Sequence, residues 1–72
     1  MEESIVKVWF DDDRIFILTD RGHSYSRFLD SFPRLKNATA RQRAEYEIGI
    51  EGDDLRWEEI DEDIHISSFI IQ

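Results

Sequence analysis

Cysteine is absent from this 72-residue chain, so neither a disulfide nor a thiolate zinc site can hold its fold together. Burial has to do that. Proline occurs once and glycine three times, at Gly22, Gly49 and Gly52, too few to spell G-x-G-x-x-G or a P-loop phosphate cradle. The longest unbroken apolar run is Ile15–Leu18, far below the roughly 20 residues of a membrane span. Met1-Glu2-Glu3-Ser4 offers no basic segment followed by an apolar stretch, so no secretory signal is expected. The expectation is a soluble, cytoplasmic protein with no membrane partner. Bases are scarce: 9 against 17 acids give a charge of −8 with both histidines neutral. That charge repels duplex phosphate and disfavours direct nucleic-acid binding unless the charges are sharply segregated.

What is present suffices for a core. The apolar share is 40%, with five Phe, two Trp and two Tyr, which sets the chain apart from disordered sequences of similar charge. The length fits one domain over residues 1–72. A domain this small hides only about 60% of the surface its unfolded chain exposes, so oligomerisation or a bound partner would add usefully to its stability.

Ile5, Val6, Val8, Trp9 and Phe10 predict a strand over Ser4–Phe10, and Asp11-Asp12-Asp13 a turn. Arg14–Thr19 predicts a second strand, Asp20-Arg21-Gly22 a reversal, and His23–Phe28 a third strand. Short connections make these an antiparallel meander. Pro33 forces an extended residue at Phe32 and stops helix there. Thr39-Ala40-Arg41-Gln42 reads as a capping box opening a helix over Ala40–Tyr46, with Ala40 and Ala44 facing inward. Glu47–Ile50 and Leu55–Trp57 predict two further strands, and Glu58–Asp63 a charged connection carrying Ile60. The expected fold is therefore α+β: an antiparallel sheet of about five short strands with one short helix, near residues 40–46, packed on it. Trp57 and Trp9 are both expected in the core. The tail alternates at Ile64, His65 and Ile66, then turns wholly apolar at Phe69-Ile70-Ile71. The conformation of Ser67–Gln72 stays open: the tail either docks on the core or forms an apolar patch for a homo-oligomer.

The charges are unevenly spread. Arg34, Lys36, Arg41 and Arg43 fall in a stretch without acids, whereas Asp53, Asp54, Glu58, Glu59, Asp61, Glu62 and Asp63 face only Arg56. Either the basic segment folds back on the acidic one, or two patches of opposite sign exist, the acidic one meeting a basic partner. Acid runs at Asp11–Asp13 and Asp61–Asp63 lack the spaced pattern of a calcium loop, and His23 and His65 stand far apart, so no metal or cofactor is expected. Serines and histidines permit a triad on paper, but no G-x-S-x-G elbow surrounds any serine, and no catalytic residue is assigned.

Asp20-Arg21-Gly22, Phe32-Pro33-Arg34-Leu35-Lys36-Asn37-Ala38-Thr39, Gln42-Arg43, Tyr46-Glu47, and Trp57 with Ile60-Asp61-Glu62-Asp63-Ile64 together resemble the domain-of-unknown-function family 2442 of small prokaryotic proteins. Glu58 departs from the proline that often follows the tryptophan there, and the Gly49–Asp54 connection is irregular. The resemblance implies a compact α+β module of bacterial origin without an established catalytic residue. It further implies an arrangement like toxin–antitoxin pairs, with a second small protein encoded alongside. The expected function is thus a non-enzymatic protein-interaction module, the acidic antitoxin-like member of such a pair, binding through Asp53, Asp54, Glu58, Glu59, Asp61, Glu62 and Asp63. The alternative is a ligand-sensing or regulatory domain acting with a separate DNA-binding unit, with Arg34, Arg41 and Arg43 receiving an anion.

Overall fold

The computed structural model describes residues 3–70. It holds two antiparallel three-stranded meanders: β1 (Ile5–Phe10), β2 (Arg14–Thr19) and β3 (Ser24–Phe28), then β4 (Glu47–Ile48), β5 (Asp54–Trp57) and β6 (Glu62–His65). Two short helices, α1 (Pro33–Lys36) and α2 (Ala40–Ala44), lie between the sheets in sequence, and 3-10 turns cover Leu29–Ser31 and Ile66–Ser68. The expected single sheet of about five strands with one helix is corrected accordingly. The helical linker separates the two meanders in sequence, and each strand pairs only within its own set.

The first sheet has a distinct inner and outer face. Ile15, Ile17 and Thr19 of β2 are buried, and so are Ile5 and Val8 of β1. Positions 5 and 8 share a face only because the register shifts between Ile5 and Lys7. This β-bulge inserts one residue and resets the alternation, which explains the apolar doublets of β1. Trp9 falls on the opposite face, 37% exposed, a correction to its expected core position. Trp57 is 1% exposed, as expected.

The inner faces meet in one cluster: Ile15 and Ile17 from the first sheet, Leu55, Trp57 and Ile64 from the second, and Leu29, Phe32 and Leu35 from the linker. Pro33 stands at the first turn of α1, where its missing N–H is no loss, and α1 buries Leu35. The C-terminal segment docks as well: Phe69 is buried, with its ring centre 6.4 Å from that of Phe32. Ile71 and Gln72 lie outside the described residues. Arg27 of β3 donates to the carbonyl of Ser68 and ties this segment to the first sheet.

α2 departs most from expectation. It ends at Ala44, and both Ala40 and Ala44 are exposed; the helix buries no residue at all. The capping box is present as the sequence predicts: Gln42 N–H donates to Thr39 Oγ1 at 3.1 Å, and Thr39 N–H donates to Gln42 Oε1 at 2.9 Å. Polar ties replace burial. Arg43 Nε and Nη2 donate to the carbonyls of Leu35 and Lys36, both at 2.9 Å, and Trp57 Nε1–H donates to the Arg43 carbonyl at 3.0 Å.

A backbone seam joins the sheets at one edge. Ile5 N–H donates to Gly52 O at 2.7 Å, and Ser4 Oγ donates to Glu51 O at 3.2 Å. Gly52 has φ +75°, and a Cβ there would stand 2.7 Å from Ser4 Cβ. Gly22 also has positive φ, +82°, but nothing lies within 4 Å of a Cβ built on it. Gly52→Ala is therefore expected to cost about 2 kcal/mol, on the order of 10 °C in Tm for a domain of this size. Gly22→Ala carries only the left-handed backbone penalty of about 1 kcal/mol. Thermal melts of the two variants compare them; equal losses would show that the seam constrains nothing.

Candidate functional site

The acidic segment is an extension of the core. Trp57 closes β5 inside the protein, and the chain then turns through residues 58–61 before β6 begins at Glu62. Asp61 N–H donates to Glu58 O at 3.2 Å, and Asp61 is the one non-glycine residue of positive φ (56°) among the described residues. Aspartate tolerates that region better than most side chains. Ile60 packs against the core and anchors the turn, so the acids around it emerge at a fixed place.

The arginines fold back on this turn. Arg41 Nη2 lies 3.0 Å from Glu59 Oε2, with Nη1 3.3 Å from Glu59 Oε1 and 3.1 Å from Glu45 Oε1. Gln42, whose oxygen serves the helix cap, donates through Nε2 to Glu59 Oε2 at 2.9 Å. Arg34 donates to the carbonyl of Asp61 and stands 3.6 Å from its carboxylate. Arg56 Nε lies 3.5 Å from Asp63 Oδ1. The Arg41 hydrogen bond, then that of Gln42, holds the Glu59 carboxyl below its ordinary range. The same contact raises Arg41. Glu62 moves the other way: partial burial pushes its carboxyl up, Arg34 pulls it down, and Asp63 and Asp61 push it further up.

The seven acids do not form one patch. Glu58, Glu59, Asp61, Glu62 and Asp63 gather at the turn of the β5–β6 hairpin, while Asp53 and Asp54 sit at its opposite end. Asp53 there faces His65, with Oδ2 3.5 Å from Nε2. Two acids outside the predicted set join the turn. Glu45 at the end of α2 and Glu47 opening β4 line an open groove of about 500 Å³ with Glu58 and Glu59. Sequence reading missed them because they belong to different elements and lie more than ten positions from the hairpin turn. Of the three arginines considered for anions, Arg34 and Arg41 face acids, and Arg43 is committed to two carbonyls, with its guanidinium over the Phe10 ring.

A second polar cluster went unseen in the sequence. Glu3, with its side chain 13% exposed, accepts from Thr19 Oγ1 at 2.8 Å and Tyr25 Oη at 3.0 Å, and its Oε2 is 2.7 Å from His23 Nδ1. The Thr19 hydrogen bond is foremost in holding this carboxyl below its ordinary range. Its partners lie 16 to 22 positions away, beyond any local spacing signal. His65 is exposed, and its Nδ1 accepts from Ser67 N–H at 3.1 Å and lies 3.0 Å from Ser67 Oγ. The string Asp53, His65, Ser67 has the order of a hydrolase relay. Here, though, the Ser67 N–H donates to the imidazole, which caps the 3-10 turn, and is not free to polarise an oxyanion. The Asp11 carboxylate is likewise used locally, accepting from Asp13 and Arg14 N–H at 2.9 and 2.8 Å.

The family model described as Protein of unknown function (DUF2442) matches residues 5–70. The chain belongs to the DUF2442 family. Neither the curated proteins nor the solved structures hold a match to it. The residues carrying the family resemblance include Arg34, Gln42, Arg43, Trp57 and Asp61. In this DUF2442 domain they form one connected set, from the α1 and α2 ties through Trp57 to the hairpin turn. No helix among the described residues is long and apolar enough to cross a membrane.

The raised Glu62 carboxyl gives a signed prediction. Its contribution to stability is complete below about pH 4, where the acid is protonated folded or unfolded. That contribution is lost as pH rises through the raised value. Glu62→Gln is neutral throughout, so it should exceed the wild type at pH 7 by a few tenths of a kcal/mol, about the size of a surface charge effect. Below about pH 4 the two should match. Urea melts at both pH values test this; a variant less stable at pH 7 would contradict it.

Proposed function

We propose that the β5–β6 hairpin turn and the groove beside it form a protein-docking surface for a basic partner. The DUF2442 domain would then be the acidic, antitoxin-like member of a two-gene pair acting in the cytoplasm. The observation that carries this reading is the convergence of Glu45, Glu47, Glu58 and Glu59, from three separate elements, on one open groove. Arg41 offsets Glu59 and Glu45. Glu47 and Glu58 have no cation within ion-pair distance among the described residues, in a chain of charge −8. Complementary charge would speed encounter and fix orientation. The family resemblance contributes the two-gene context. The anion-sensing alternative has less support, because Arg34, Arg41 and Arg43 are already engaged within the chain.

The test is co-expression with the product of the adjacent gene, followed by affinity capture across a salt series. Capture should succeed in low salt and fail near 1 M, where charges are screened beyond about 3 Å. The double variant Glu47→Lys with Glu58→Lys should weaken binding by about tenfold or more. A complex indifferent to both salt and charge reversal, or no complex at all, would refute the proposal.

A further inference from the structure

The outer face of the first sheet carries a ladder of rings and cations. Register places Trp9 opposite Phe16, Phe16 opposite Ser26, and Arg14 opposite Phe28. Trp9 and Phe16 stack nearly parallel, with ring centres 5.4 Å apart and planes 5° apart. Lys7 Nζ is 5.5 Å from the Trp9 ring centre, and the Arg14 guanidinium lies over both Phe16 (5.7 Å) and Phe28 (5.4 Å). Phe28 remains 59% exposed and Trp9 37%. An antiparallel sheet ordinarily turns polar residues outward on its open face; this one turns three aromatics. In a chain with nearly two acids per base, Lys7 and Arg14 lie within ion-pair distance of no carboxylate among the described residues.

Size and charge decide what fits. Three strands about 4.8 Å apart, each some 20 Å long for six residues, offer a footprint on the order of 300 Å². A stable dimer needs about 800 Å² from each partner, so a second copy is too large an occupant for this face alone. One helix about 10 Å wide and some 13 residues long matches it. Single-stranded nucleic acid would need ring faces free for bases, but these rings are stacked on one another and on cations. Lys7 and Arg14 stand at opposite ends of the ladder, separated by about four strand residues or some 13 Å, within a few Å of two helical turns, a difference that the long Lys and Arg side chains span.

We propose that this face docks a single amphipathic helix of a partner protein. The helix lays its apolar side on Trp9, Phe16 and Phe28, and carboxylates two turns apart meet Lys7 and Arg14. The surface is separate from the acidic groove and does not depend on that groove's function.

The probe is a stapled, preformed helix of about 14 residues, with leucines along one side and glutamates two turns apart on its flank. A twin peptide carries lysines instead. With the full chain labelled for NMR, the glutamate peptide should shift the Trp9 indole N–H and leave that of Trp57 in place. The lysine twin should bind about tenfold more weakly or less. Lys7→Glu with Arg14→Glu should invert that preference. Equal binding of both peptides, or no shift of Trp9 near millimolar peptide, the weak end of measurable affinity, would overturn the proposal. So would a thymidine oligonucleotide shifting Trp9 more tightly than the glutamate peptide, or sedimentation showing two copies with Trp9 buried between them.

Discussion

The placement of the Trp57 indole governs this molecule. Its ring is buried in the core shared by both sheets, and its single polar atom donates to the carbonyl of Arg43. That carbonyl is among the last of α2 and would otherwise lack an intrahelical partner. Arg43 in turn reaches back to the carbonyls of Leu35 and Lys36 at the end of α1. One apolar ring with one donor thereby fixes the hairpin to both helices. α2 buries no residue and is too short to persist on propensity alone, so these hydrogen bonds substitute for a packed face. Its position then brings Arg41 and Gln42 to Glu59.

The same arrangement explains how so acidic a turn is tolerated. Exposed ion pairs contribute only about 0–1 kcal/mol each, too little to build the fold, but enough to lessen repulsion among neighbouring carboxylates. Arg34 and Arg41 approach from outside the turn and Arg56 from within the hairpin, each on a different acid. Compensation is local and incomplete, and the groove beside the turn keeps its negative character. On the outer face of the first sheet the balance is reversed: Lys7 and Arg14 lie over aromatic rings with no carboxylate in pairing distance among the described residues. The charges of this DUF2442 domain are sorted by surface, and that sorting separates the two proposed contacts.

What could be read in the sequence follows from how local each cause is. The N-terminal meander was legible because period-two alternation and turn residues act within a few positions. The capping box was legible because Thr39 and Gln42 sit three apart. The β1 bulge was written in the doublets, but a doublet does not say which residue leaves the ladder. α1 is not legible in the sequence because its single turn follows a proline that reads first as a stop. Nothing local distinguishes a short helix that packs Ala40 and Ala44 inward from one that leaves them exposed. The structure instead holds α2 through Trp57 and Arg43, partners 14 and 8 positions from what they bond. The acidic hairpin turn was foreseen as a charge run, whereas Glu45 and Glu47 joined it only through tertiary placement. Trp57 stands between Arg56 and Glu58, so alternation alone sets it beside Leu55 on the inner face, whereas Trp9 stands between Val8 and Phe10 and only the bulge and the sheet pairing turn it outward.

Hydrogen exchange at the two indole N–H groups tests the central role of Trp57 most directly. The account predicts that the Trp57 indole proton exchanges only with global unfolding, at the rate of the most protected core amides, while the Trp9 indole proton exchanges freely. A Trp57 proton lost as fast as that of Trp9, with core amides still protected, would mean that the hairpin is not anchored to α2. The acidic groove would then have no fixed geometry.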